Sequence, residues 1–91
     1  MRDKDLKVAV HYAAAKEPYK EEAEPSETVG QLKEHALKAF GLVETPPKAY
    51  KLFYEGRELN NMNETLGQLA GEKTHLSFDL EEVLIQGNSN A

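Results

Sequence analysis

Thr28-Val29-Gly30-Gln31-Leu32-Lys33-Glu34-His35-Ala36-Leu37-Lys38-Ala39-Phe40-Gly41 is the stretch on which the fold turns. Thr28 has the side chain of a helix N-cap, and Gln31 stands three residues on, the spacing of a capping box. Val29, Leu32, Ala36, Leu37 and Phe40 then recur along one helical face, so the segment is an amphipathic helix with a single apolar stripe. Gly41 ends it, since glycine takes the left-handed C′ conformation without a Cβ clash, and Leu42 can cover the last turn. Gly30 in the first turn is a weak point, costing up to about 1 kcal/mol relative to alanine.

On the N-terminal side of this helix, Leu6–Ala14 alternates as a half-buried strand, with Leu6, Val8, Val10 and Tyr12 on one face. Lys16-Glu17-Pro18 is a turn. Tyr19–Glu24 is expected to form an irregular edge strand that turns Tyr19, Glu21 and Ala23 to one face, where Glu21 fits poorly. On the C-terminal side, Thr45-Pro46-Pro47 is a rigid linker, because each proline fixes φ and bars helix. Lys51–Tyr54 reads as a short strand, Glu55-Gly56 as a turn, Arg57–Leu59 as a return strand and Asn60-Asn61-Met62-Asn63 as a loop. Thr65 and Gln68 repeat the capping-box spacing, which places a helical turn at Leu66–Ala70. Thr74–Leu80 alternates again as a last strand. One main helix covers one face of a sheet, so the expected class is α+β: a mixed sheet with the helix packed across it. The first and last strands run parallel at its centre, which is the β-grasp arrangement. Residues 1–5 are expected to be a flexible N-terminus, 6–80 the domain, and 81–91 a flexible C-terminal tail.

The chain has 91 residues without a repeat, enough for one small domain with a modest core and no deep pocket. It has no cysteine, which excludes disulfides, thiol chemistry and zinc–thiolate sites and fits a reducing compartment. Eleven basic and sixteen acidic side chains leave a net charge of −5, which argues against nucleic acid as a partner. Acid is concentrated in Glu17, Glu21, Glu22, Glu24 and Glu27, offset only by Lys20. This stretch is either a solvated face or a docking face for a basic partner. There is no membrane-length apolar run and no signal-peptide pattern at Met1–Asp5, so a cytoplasmic location is expected and no membrane partner. His11, His35 and His75 are dispersed and read as surface residues, with no metal-ligand spacing. His11 and His75 fall on the two strands expected to pair. Ser26, Ser77 and Ser89 lack a nucleophile elbow, and no loop is built to cradle phosphate, so neither an enzyme nor a cofactor is indicated.

Several segments, in order, resemble the ubiquitin family. They are Glu24-Pro25-Ser26-Glu27-Thr28-Val29 leading into Leu32-Lys33, Gly41-Leu42 followed by Pro46-Pro47, Lys51–Leu59, Thr65-Leu66 and Thr74–Leu80. The resemblance spans residues 6 to about 80. It implies a protein-binding face on the exposed side of the sheet, centred on Phe53, with Leu52, Arg57 and Asp79 as the other partner-binding candidates. Asp79 is a charged departure from the family's apolar patch, and the first-hairpin loop offers only Ala13–Ala15. Phe53 is either open to a partner or covered by its own tail or by Tyr12. Arg57 stands where the family's favoured acceptor lysine stands, and a guanidinium cannot accept an acyl group. Lys33 matches the family's helix lysine.

The resemblance further implies a C-terminal glycine whose carboxylate is activated and transferred, with glycine letting a bare backbone thread an enzyme channel. Here the tail reads Glu81-Glu82-Val83-Leu84-Ile85-Gln86-Gly87, with Asn88–Ala91 beyond. One glycine replaces two, and glutamates replace the family's arginines. In one reading Asn88–Ala91 is removed and Gly87 becomes the point of conjugation. The implied partners are then an E1-like activating enzyme, a processing protease and target proteins. In the other reading the chain is a non-covalent interaction module. A sulfur carrier, with a thiocarboxylate at the terminal glycine, is a third reading that shares the fold.

Overall fold

The computed structural model describes residues 5–84. Its helices form where the caps are. Helix α1 spans Val29–Phe40 and helix α2 spans Leu66–Ala70. Thr28 Oγ1 accepts the Gln31 amide at 3.1 Å while the Gln31 side chain accepts the Thr28 amide at 3.0 Å. Thr65 and Gln68 make the same reciprocal pair at 3.2 and 2.9 Å. Gly41 closes α1 in the left-handed conformation at φ 73°.

The two helix starts also cap each other. Thr28 and Thr65 form an isolated antiparallel bridge. On either side of it, Val29 and Gly30 of α1 donate to the carbonyls of Glu64 and Met62 at 2.8 and 2.9 Å. Leu66 and Gly67 of α2 donate to those of Glu27 and Pro25 at 2.8 and 2.9 Å. Helix-initial amides have no partner within their own helix, so each helix supplies the other's missing acceptors through the segment that leads into it. The arrangement needs backbone against backbone. An added Cβ on Gly30 would lie 3.2 Å from the Met62 carbonyl oxygen, and one on Gly67 only 2.9 Å from Pro25 Cβ. Gly30 is therefore a contact residue and not simply a weak point of the helix.

Five strands complete the domain: β1 (Leu6–Tyr12), β2 (Tyr19–Ala23), β3 (Lys48–Tyr54), β4 (Arg57–Glu58) and β5 (His75–Leu84). They form one sheet in the order β2-β1-β5-β3-β4, with β1 parallel to β5 at its centre and the other neighbours antiparallel. Between β3 and β4, Glu55 (φ 54°) and Gly56 (φ 81°) both take positive φ, as a two-residue type I′ hairpin turn requires. With α1 across one face, this is the ubiquitin-like β-grasp expected of the sequence. Alternation directs Val8, Val10, Leu52, Leu76, Phe78 and Leu80 inward, where they meet Val29, Leu32, Leu66 and the other buried residues of the core.

Most strand ends fall within one or two residues of the sequence reading, but two boundaries move by three or more, and they move together. β5 continues to Leu84 instead of ending at Leu80, and β3 begins at Lys48 instead of Lys51. The added residues pair with one another: Lys48 with Leu84, Ala49 with Val83 and Tyr50 with Glu82. Lys48 Nζ lies 3.7 Å from Glu82, and Lys51 is registered opposite Glu81, so the glutamates that made this stretch look like a tail face lysines across the strand pair. Residues 81–84 thus belong to the sheet. Ile85, Gln86, Gly87 and Asn88–Ala91 lie outside the described residues.

Candidate functional site

The face of the sheet away from α1 carries a transverse row of side chains fixed by register. His11 on β1 is opposite Asp79 on β5, Asp79 is opposite Phe53 on β3, and Phe53 is opposite Glu58 on β4. Phe53 is half-buried, while His11, Asp79 and Arg57 are exposed. Lys51, also on this face, ion-pairs with Glu58 at 2.6 Å. The row presents one aromatic ring between two carboxylates, with a histidine beyond, so its apolar centre is small and its surround is acidic. Tyr12 does not cover Phe53. Its ring packs instead against Phe40 at 5.4 Å and Tyr50 at 6.1 Å.

Leu52 does not belong to this surface. Strand alternation turns it to the helix side, where it has no exposed area at all. Arg57 pairs with Tyr54 at the start of β4 and remains available to a partner. Lys33 is not a freely solvated lysine. Its ammonium lies 2.9 Å from Glu44, with only 20 % of the side chain exposed. Glu44 also accepts the Tyr50 amide at 2.9 Å. Burial disfavours the Glu44 anion, but the Tyr50 amide and Lys33 together hold its carboxyl below the usual range. His11 and His75 do sit on paired strands, but out of register: His75 is opposite Lys7.

The acidic stretch is not one face. β2 alternates, so Glu22 points outward toward Lys7 at 3.4 Å while Glu21 points toward α1. There it meets two groups whose proximity the sequence did not reveal. His35 Nδ1 lies 3.0 Å from Glu21 Oε1 and 3.3 Å from Glu27 Oε2, and the Tyr19 hydroxyl donates to Glu21 Oε1. The Glu21 and Glu27 side chains are 14 % and 13 % exposed, that of His35 49 %. Burial first, then the hydrogen bond to Glu21 and its charge, pushes the Glu27 carboxyl up to about 7. Burial also works against the Glu21 anion, yet hydrogen bonds from Glu27, Tyr19 and His35 outweigh it and hold Glu21 below the normal range. Burial, Glu21 and Glu27 raise the Tyr19 phenol well above its ordinary value. The one sequence signal for this cluster is the awkward inward Glu21, a buried acid that needs a partner.

No helix among the described residues is long and apolar enough to cross a membrane. No curated protein sequence matches the chain. Among solved structures, the ubiquitin of Caldiarchaeum subterraneum is similar with a TM-score of 0.72 and 27 % identity, over 91 % of this chain and 99 % of that one. The UBL domain of yeast Ddi1 is similar with a TM-score of 0.69 and 17 % identity, over 96 % of this chain and 99 % of that domain. The first relative is a ubiquitin and the second a ubiquitin-like domain, so the fold serves both kinds of protein. The family model described as the ubiquitin family matches residues 14–78, which takes in β2, both helices with their mutual caps, β3 with its hairpin, and the first part of β5, and the chain belongs to the ubiquitin family.

Proposed function

We propose that this chain is a ubiquitin-like small protein modifier, joined to target proteins through the carboxylate of Gly87 after residues 88–91 are removed. The observation that supports this best is the match to an archaeal ubiquitin along nearly its whole length, together with the Gln86-Gly87 pair that follows Ile85 in the sequence. In that role the chain is the substrate and not the catalyst. The freed carboxylate attacks the α-phosphate of ATP on an E1-like activating enzyme and expels pyrophosphate. The acyl adenylate then passes to a nucleophile with loss of AMP, and finally to an amine of the target. Phe53, flanked by Asp79 and Glu58, anchors partner proteins in the cytoplasm, and Arg57 adds a donor at the rim of the same face.

A non-covalent module is the second reading, supported by the similarity to the Ddi1 domain and by the single glycine. Intact-mass analysis of the protein recovered from its own cells separates the two. A species lacking Asn88–Ala91, with heavier adducts that disappear in Gly87→Ala, is the expected result. A full-length 10.2 kDa species alone, across growth and stress conditions, overturns conjugation and leaves the Phe53 face as the functional surface.

A further inference from the structure

We propose that Glu21, Glu27 and His35 form a binding site for a divalent transition cation of the zinc class, at the junction of β2, the β2–α1 connection and the outer side of α1. The proposal is independent of conjugation and lies on the opposite side of the sheet from Phe53.

The first argument is geometric. One ligand atom from each residue lies within 4.8 Å of the others. His35 Nδ1 is 3.0 Å from the Glu21 oxygen and 3.3 Å from the Glu27 oxygen. Ligands held about 2.0–2.1 Å from a tetrahedral zinc ion stand about 3.3 Å apart, so small side-chain adjustments bring the three onto one ion. The half-exposed imidazole leaves the outer position open to water, and the three elements supply one nitrogen and two carboxylates. That donor set suits zinc and its neighbours. Calcium and magnesium want more oxygens and no imidazole.

The second argument is that two largely buried carboxylates share one imidazole as their positive partner. Glu27 Oε2 is completely buried and makes no hydrogen bond. The Nδ1 position carries at most one hydrogen, and two carboxylates converge on it. No lysine or arginine among the described residues pairs with Glu21 or Glu27. Burying two carboxylates against one imidazole is costly unless a cation or a shared proton neutralises them. A divalent ion bound by the Glu21 and Glu27 carboxylates and His35 Nδ1 balances both carboxylates at once. The Tyr19 hydroxyl, already donating to Glu21 Oε1, orients that carboxylate from behind.

The test is calorimetric titration of the full chain with zinc chloride at pH 7.5. One ion per chain is expected, with affinity falling as the pH is lowered to 5.5, because carboxylate and imidazole ligands bind a metal only in their deprotonated forms. Glu27→Gln and His35→Ala should each weaken binding by about 100-fold, and Tyr19→Phe by about tenfold, as loss of an outer-shell partner does. His11→Ala, on the far face, should bind as the unaltered chain does. Cobalt(II) added to the unaltered chain should broaden or shift the NMR signals around Glu21, Glu27 and His35, a readout that does not depend on any variant folding. Absence of a saturable heat, binding that survives in His35→Ala, or cobalt effects centred on His11 or His75 would overturn the proposal.

Discussion

Gly67→Ala tests the mutual capping of the two helices, because two opposite effects meet at that residue. Alanine in place of a helical glycine is favourable by up to about 1 kcal/mol from propensity, largely through a less flexible unfolded chain. The new Cβ, however, would lie 2.9 Å from Pro25 Cβ and 3.1 Å from the Pro25 carbonyl oxygen, and two carbons make their best contact at about 3.5–4.0 Å. Pro25 cannot rotate out of the way, since the atoms met are a ring carbon and main chain. Its carbonyl is also the acceptor of the Gly67 amide at 2.9 Å. Overpacking of this kind costs about 1–3 kcal/mol, and straining the hydrogen bond adds about 1 kcal/mol. The net expectation is a loss of about 2 kcal/mol, or roughly 8–16 °C in Tm for a domain of this size. Urea unfolding followed by far-ultraviolet circular dichroism measures it, with the midpoint falling while the slope stays constant. Gly30→Ala is the internal comparison. Its nearest contacts, 3.2 and 3.3 Å to Met62, are looser and belong to a loop that can give, so its net effect should stay within about 0.5 kcal/mol of zero. A Gly67→Ala protein as stable as the parent, or a Gly30→Ala protein that loses more, would refute the reasoning.

Leu52→Ala should cost about 2–5 kcal/mol by emptying a fully buried position, whereas the half-buried Phe53→Ala should cost clearly less and should weaken partner binding. Thermal melts of the two variants, beside pull-downs from the native lysate, check the assignment. Glu27→Gln should change the pH dependence of stability. The folded Glu27 carboxyl is raised from 4.5 to about 7, so its proton-linked contribution is fully present below about 4.5 and is lost as the pH rises through about 7. Glutamine cannot ionise, so the variant should lack that decline and gain on the parent between pH 5 and 8 in chelator-treated buffers. Parallel curves across that range would show that Glu27 is not the group responsible.

What the sequence made legible was what is local. Both capping boxes, the Gly41 stop, and the alternation of Leu76, Phe78 and Leu80 are written within a few residues of one another, and each holds in the structure. The extension of β3 and β5 was not legible, because Glu81 and Glu82 read as solvent-seeking until Lys51 is brought opposite Glu81 and Lys48 into ion-pair reach of Glu82. Gly30 looked like a helix defect for the same reason: the Met62 backbone it packs against is more than thirty residues away in the chain. On the candidate surface, naming both Leu52 and Phe53 overlooked the strand's own period of two, which can place only one of them outward. The Glu21–Glu27–His35 cluster escaped because its members come from three successive elements and share no spacing pattern. Only the discomfort of an inward Glu21 pointed to it.

The mutual capping also bears on that cluster. The Glu27 amide donates to the Glu24 carbonyl at 2.9 Å, its carbonyl accepts the Leu66 amide at 2.8 Å, and the next residue is the N-cap of α1. With its main chain fixed on both sides, Glu27 cannot carry its carboxylate out to water by a small backbone shift, as a surface glutamate does. The cost of burying the acid is therefore built into the way the two helices meet, and a raised carboxyl beside a second acid is the consequence. A fold that needed only a tight β2–α1 connection could place serine or glutamine at this position, with the same backbone bonds and no buried charge. The main chain that carries Glu27 is thus held in place by the fold, which is part of what a preorganised cation site requires.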